Sequence, residues 1–594
     1  MLAKNHIRAT AIAVLLALSS FSTQAQQQSA AVARPDEPAT GTISGRVVNE
    51  NGQSLIGATV FVRAVGTSTQ GRSTITDSEG NFQVSALDQA AYSVSAMLPA
   101  YATAPRDSDT PTYYRVGDSV RLELVRGGVI TGTVTTAAGE PVVAIRVRAY
   151  RIRDAKGQSP KNPITSFGEQ STDDRGVYRI YGLAPGTYFV AAGGSGNIYG
   201  FGMNGYESDA PTYAPSSTRD NAAEITVRTG EESGVDIRYR GEPGHTVSGT
   251  IKAQGTNGTS VTLAPVGSEF MPGASNYQPR GTRSFAISGV GDGDYDLVAQ
   301  EMVSAQGVAS YEMAFSESRR ITVKGADVTG IELTTKPLGS ISGRIALEPS
   351  RVSECEGKRR PLFAETLVSL LPNEKNSEKD PSHFLRLFAA TASPDKEGAF
   401  QIRNVLAGQY SFNPRFFARY WYLQSISLAP GPTVETTKPA QTKQRIDAAR
   451  NWTTVKSGDR INGLTITLAE GAASLRGQVT LPENSKLPTN LFVYLVPAER
   501  EKADDVLRFF ATEVAADGSF AINAIPPGHY WSIAQTFVDK EAPSMAKLRL
   551  PDAAESRLKI VREAEILKLE TEFKPCQNVT DYKLPLKSRY EVVP

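Results

Sequence analysis

Across 594 residues the chain carries only two cysteines, four histidines and three tryptophans. Two thiols, Cys355 and Cys576, cannot build an all-cysteine zinc site, which needs four. In an oxidising compartment an isolated pair can close a disulfide; the alternative is two unrelated thiols. After His6 the histidines are His245, His383 and His529, with no H-x-x-E or H-E-x-x-H spacing and none at ligand spacing beside a cysteine. The sequence therefore offers no zinc-peptidase ligand set. A surplus of either charge is missing too: 63 Lys plus Arg stand against 62 Asp plus Glu, with no long basic run. That argues against nucleic acid as a partner, since phosphate binding needs positive surplus. After the N-terminal segment no stretch reaches 18 apolar residues, so no membrane span is expected in the mature chain. There is no G-x-S-x-G elbow and no P-loop; GFGMNG (200–205) fits G-x-G-x-x-G but leads into a loop containing Pro and Tyr rather than a helix. No catalytic residue, metal ligand or cofactor is assigned.

What is present begins with a leader. Lys4 and Arg8 precede the apolar Ala11 to Leu18, and Thr23-Gln24-Ala25 forms a small-x-small cleavage site. Residues 1–25 are expected to be a signal peptide, with an uncleaved anchor as the alternative, and 26–40 a linker. The protein is expected to be secreted, periplasmic or extracellular. The length suggests roughly 3–6 domains, and 51 Gly with 35 Pro suit a chain full of turns.

Repeats dominate the remainder. One pattern opens each copy: GTISGRV (41–47), GVITGTV (128–134), HTVSGTI (245–251), GSISGRI (339–345) and ASLRGQV (473–479). Each alternates around a glycine, at 45, 132, 249, 343 and 477, as a strand with one buried face should. A second pattern follows: FQVSALDQAAY (82–92), YRIYGLAPGTY (178–188), FAISGVGDGDY (285–295), FQIRNVLAGQY (400–410) and FAINAIPPGHY (520–530). The first aromatic and the last Tyr are ten residues apart every time, which implies fixed local geometry. The Tyr is expected to pack at a sandwich corner with its hydroxyl on backbone. Gly186, Gly293, Gly408 and Gly528, two residues before it, are expected to supply positive φ. Upstream, TDSEGNF (76–82), DDRGVY (173–178), PDKEGAF (394–400) and ADGSF (516–520) read as Asp–Gly hairpins. The first four copies close with strands at 115–125, 227–239, 323–335 and 455–468. For 555–575, helical composition competes with a register shared with 317–337; the register favours strand, loop and strand.

These motifs resemble the carboxypeptidase regulatory-like family: the ISGRV opening strand, the Asp-x-x-Gly-x-Phe hairpin and the LxPGxY corner, over nearly all of 41–575. The resemblance implies a transthyretin-like or prealbumin-like sandwich related to carbohydrate-binding-like folds. In that family the module accompanies metallocarboxypeptidases and outer-membrane receptors and carries no catalytic residues. No peptidase or membrane barrel is attached in this sequence. The expected architecture is all-β: five tandem immunoglobulin-like or transthyretin-like β-sandwiches at 41–126, 127–241, 242–338, 339–471 and 472–594, the last with a C-terminal closing segment.

Function is less legible. Asp292, Asp294 and Asp296 alternate as calcium ligands can, but positions six and twelve from Asp292 are Leu297 and Val303, not the Gly and Glu of an EF-hand. Aromatic loops stand out: Phe201, Tyr206 and Tyr213 within 200–216, and Phe417, Tyr420 and Trp421 within 415–425. Such rings either stack on sugar faces or fill sandwich edges and seams. A non-enzymatic scaffold or binding protein is expected, with a protein or polysaccharide partner in the envelope or outside the cell; carbohydrate binding is the alternative and a hydrolase the least favoured.

Overall fold

A computed structural model of the chain describes residues 40–586, apart from 68–70, 106–110, 159–166, 195–204, 254, 256–257, 267–273, 280, 282, 304–311, 374–390, 430–444, 482–485 and 538–542. The expected signal peptide, nearly all of the expected linker, GFGMNG up to Asn204, Phe201 and His383 lie outside the described residues.

The alternation of the opening segments does place them in strands. Gly41–Asn49, Gly128–Thr135, His245–Lys252, Gly339–Glu348 and Ala473–Thr480 are each central to their sheet. Each pairs antiparallel with the strand that carries the first aromatic and parallel with a closing strand. In copy one this gives a sheet of Asn81–Leu87, Gly41–Asn49, Ser119–Arg126 and Tyr101–Thr103, faced by Arg72–Ile75, Thr59–Ala64 and Tyr92–Met97. Ile43, Val47, Val60, Val62, Phe82 and Val84 are buried between them, as two-residue periodicity requires. Copies two, four and five repeat this two-sheet plan around their own buried clusters. In copy three, strand Glu312–Ser316 pairs with both Gly293–Val303 and Val328–Pro337 and joins everything into one eight-stranded sheet.

The glycine of every opening strand stands directly opposite the first aromatic: Gly45 with Phe82, Gly132 with Tyr178, Gly249 with Phe285, Gly343 with Phe400 and Gly477 with Phe520. The corner expectation also holds in each copy. Tyr92 donates to Asp88 O (2.8 Å), Tyr188 to Ala184 O (2.7 Å), Tyr295 to Gly291 O (2.9 Å), Tyr410 to Leu406 O (2.9 Å) and Tyr530 to Pro526 O (3.0 Å). The hairpin aspartates behave as Asx turns: Asp77, Asp173 and Asp395 each accept two backbone N–H groups beyond them, and Asp517 accepts that of Ser519.

Two expectations need correction. Gly186, Gly293 and Gly528 do have positive φ (156°, 150° and 141°), but the left-handed residue shared by all copies is not the glycine before the Tyr. It lies four after the first aromatic, at Ala86, Gly182, Gly289, Asn404 and Ala524, with φ from 54° to 72°. There the strand register slips, so the left-handed residue is the bulge that turns the strand into the corner. Gly408 is absent from the positive-φ glycines. The C-terminal segment is also not strand, loop and strand. Ala554–Leu567 is an α-helix, followed by strand Glu570–Phe573. Its Ala, Glu, Leu, Lys and Arg favour helix, and burying Arg557, Ile560 and Ala564 on one face, against Phe492, Tyr494 and Phe509, fixes it. Lys568, at φ 48°, ends it. The closing strand of copy five is Asn578–Pro585 instead. No helix among the described residues is long and apolar enough to cross a membrane.

Candidate functional site

The aromatic candidates fall mostly in seams and cores. Trp421 starts strand Trp421–Leu428 and is 0% exposed, within the copy-four core, so it has no open face for a ligand. Tyr420 is half-buried, with the Lys358 ammonium 4.9 Å and the Arg419 guanidinium 5.9 Å from its ring centre. Phe417 is covered by Arg115 of copy one, 5.1 Å from the ring centre. Tyr206 packs on the copy-two core, donates to Val143 O at 3.2 Å and meets Tyr239 edge-on. Tyr213 is buried beside Tyr150 and Phe189.

Phe417 and Tyr420 lie where copies meet, and further contacts tie the copies together. Copies two and three are tied by backbone bonds from Ala210 N to Glu242 O and Gly244 N to Ser208 O, both 2.9 Å. Copy three meets copy four where Met313 N donates to Asn404 Oδ1 (2.9 Å). Between copies four and five, Arg419 donates to Ser474 Oγ and Asn578 Oδ1, and Ala472 N donates to Tyr420 O. Cys355 and Cys576 form a disulfide across the same seam, spanning 221 residues. Copies one and four, far apart in sequence, also touch. Ser393 N donates to Gly66 O (3.2 Å), Arg415 Nη1 to Pro111 O (2.8 Å), and the Arg415 guanidinium lies over Tyr113. Burial holds the Arg415 guanidinium below its usual pKa, a sign of how closely that contact closes. The sequence marked 415–425 as a stretch that could fill a seam and 115–125 as a closing segment, but nothing in it paired the two.

A cavity of about 190 Å³ opens at the seam of copies two and three. Arg148, Arg219, Arg240, His245, Tyr213 and Tyr295 line it. Strand Arg146–Asp154 brings in Arg148, which is buried and donates from Nε to Glu169 at 2.6 Å. Arg219 comes from a short 3-10 turn at Arg219–Asn221, and Tyr213 from strand Thr212–Tyr213. Desolvation raises the Tyr213 hydroxyl well above the phenol range, and raises Tyr295 to about 12. The histidines are not brought together: His245 faces Asp292 (3.3 Å) and His529 faces Glu570 (2.8 Å). The acids of the 292–296 stretch also diverge, since Asp292 accepts from Gly325 N, Asp294 from Thr322 and Asp296 from Arg320. Among the described residues no group of three His, Cys, Asp or Glu is placed to hold a metal.

Residues 42–122 match the family model of the carboxypeptidase regulatory-like domain, which covers copy one. No curated protein matches the chain. Solved structures with similarity include the Bacillus anthracis TIE protein, at 10% identity over 78% of this chain and 74% of that one, with a TM-score of 0.14. The shaft pilin SpaA of Lactobacillus rhamnosus GG matches at 11% identity over 34% of this chain and 98% of that one, with a TM-score of 0.16. BcpA, the major pilin subunit of Bacillus cereus, matches at 10% identity over 50% and 99%, with a TM-score of 0.13.

Proposed function

We propose that the chain is a non-catalytic scaffold that works in the envelope or outside the cell, holding five sandwiches in fixed relation so that a protein partner meets a preset surface. The observation that carries this reading is the way the copies are tied. Successive copies share hydrogen bonds, copies four and five a disulfide as well, and copies one and four close on each other through Arg115, Arg415 and Ser393. A string of independent binding modules gains nothing from contacts between its first and fourth members; a frame does. The leader pattern and the Cys355–Cys576 bridge both suit an oxidising compartment. Polysaccharide stacking by Trp421, Tyr206 or Phe417 is not favoured, since these rings are spent on cores and seams.

The test joins location to rigidity. Fractionation of producing cells should place the protein outside the cytosol. Spin labels at the exposed Ser73 of copy one and Gln401 of copy four should give one narrow distance distribution. A broad distribution, or protein retained in the cytosol, removes the scaffold reading.

A further inference from the structure

Of the three arginines that line the cavity between copies two and three, Arg219 has no ion-pair partner among the described residues. Arg148 is paired with Glu169, and Arg240 forks Glu242, its Nε donating to Oε1 at 3.0 Å. His245 lies against Asp292, whose half-exposed carboxylate also accepts from Gly325 N. Arg219 differs. No carboxylate among the described residues lies within ion-pair distance of it; its Nη1 donates to Val266 O at 3.3 Å, and its buried Nε has no partner. Close by, the Tyr213 side chain is 6% exposed and lines the cavity, and among the described residues its hydroxyl makes no hydrogen bond. A guanidinium without an ion pair and a phenol free to donate therefore lie at one polar space.

We propose that this cavity binds the carboxylate of a small sugar acid, with Arg219 and Tyr213 donating to its oxygens. The guanidinium plane suits a carboxylate, which accepts two parallel N–H bonds. A single guanidinium free of an ion pair matches a monoanionic carboxylate better than a phosphate dianion. Size agrees: a space of about 190 Å³ suits a small acid with one ring. Tyr150, Tyr213 and Tyr295 supply the apolar walls such a ring needs. Because both sides of the cavity belong to different copies, a bound acid bridges copies two and three. The inference stands apart from the scaffold reading and survives its failure.

The experiment is ligand-observed NMR on the full mature chain with glucuronate as probe and acetate, glucose and inorganic phosphate as competitors. Saturable glucuronate binding, displaced by acetate and untouched by glucose or phosphate, is expected. Tyr213→Phe, which keeps the ring, and Arg219→Gln should each weaken it by about tenfold, the order of one hydrogen bond to a charged group. A free acid and the end of an acidic glycan share this group, so a glucuronate-terminated disaccharide is run beside the monomer. Binding of the disaccharide at least as tight assigns the glycan end, and its loss assigns the free acid. Absence of saturable binding overturns the proposal. So does competition by phosphate or glucose equal to that of acetate, or wild-type affinity in a folded Tyr213→Phe protein.

Discussion

Gly45 stands directly opposite Phe82, and a Cβ built on it would lie 2.8 Å from that ring and 2.0 Å from Val120 O on the parallel closing strand. The same clash with a carbonyl of the closing strand recurs at Gly132, Gly249, Gly343 and Gly477. None of these five has the positive φ that usually demands glycine. What they supply is space: three strands and an aromatic ring meet where a methyl group has no room.

Gly45→Ala and Gly477→Ala should therefore each destabilise the protein by about 1–3 kcal/mol, the usual range for overpacking. Gly234→Ala is the matched control, since that strand glycine has nothing within 4 Å of a built Cβ. Urea denaturation checks both, and equal midpoints for Gly45→Ala and Gly234→Ala would refute the steric account.

Much of this frame was legible in the sequence because it recurs. The corner tyrosines and hairpin aspartates interact with backbone a few residues away, so local spacing encodes them. The opening glycines were visible as a pattern, but their cause was hidden. It depends on the closing segments that carry Val120, Val235, Ile331, Leu464 and Tyr582, each 75 or more residues downstream of its glycine. The helix Ala554–Leu567 was misread because register with copy three outweighed composition. Copy five uses that segment to cover Phe492 and Tyr494, an apolar face on the far side of its sheet from the sandwich core. Seam residues such as Arg415 and Arg219 were illegible, since a guanidinium in a loop announces neither its ring nor its cavity.

The disulfide should matter more than its single bond suggests. Closing a span of 221 residues restricts the unfolded chain by about 5 kcal/mol in the chain-entropy view. Reductant should lower the melting temperature of copies four and five, and a Cys355→Ser, Cys576→Ser double variant should melt low and ignore reductant. Differential scanning calorimetry with and without reductant makes the comparison.

Alkaline pH should unfold the protein through its buried phenols. Desolvation raises Tyr295 and Tyr494 to about 12 in the folded state, against about 10 unfolded. Below pH 10 both states hold the proton and these groups contribute no pH dependence. Between 10 and 12 the unfolded chain loses protons that the folded one keeps, so stability falls as pH rises, by about 2–3 kcal/mol for each group across the window. Tyr188 and Tyr530 are raised further and extend the effect to higher pH. Urea midpoints measured from pH 8 to 11 should decline most steeply above 10. Tyr494→Phe should flatten that decline while leaving the pH 8 midpoint nearly unchanged; an unaltered slope would show that burial does not control its titration.

The contact between copies one and four makes the last prediction. Arg415 Nη1 donates to Pro111 O at 2.8 Å, its guanidinium lies 5.5 Å from the Tyr113 ring centre, and burial holds its charge at a cost. Arg115 places a second guanidinium over Phe417 in the opposite sense. Each cation–π contact at such a site contributes about 0.5–2 kcal/mol. Neither is large, but the sandwiches on either side have complete cores of their own. Removing both with Arg115→Ala and Arg415→Ala should thus leave the melting of each sandwich almost unaltered while broadening the Ser73–Gln401 spin-label distance. Loss of stability without broadening would mean that these arginines serve their own copies. Broadening without loss of stability would mean that they fix the angle between copies.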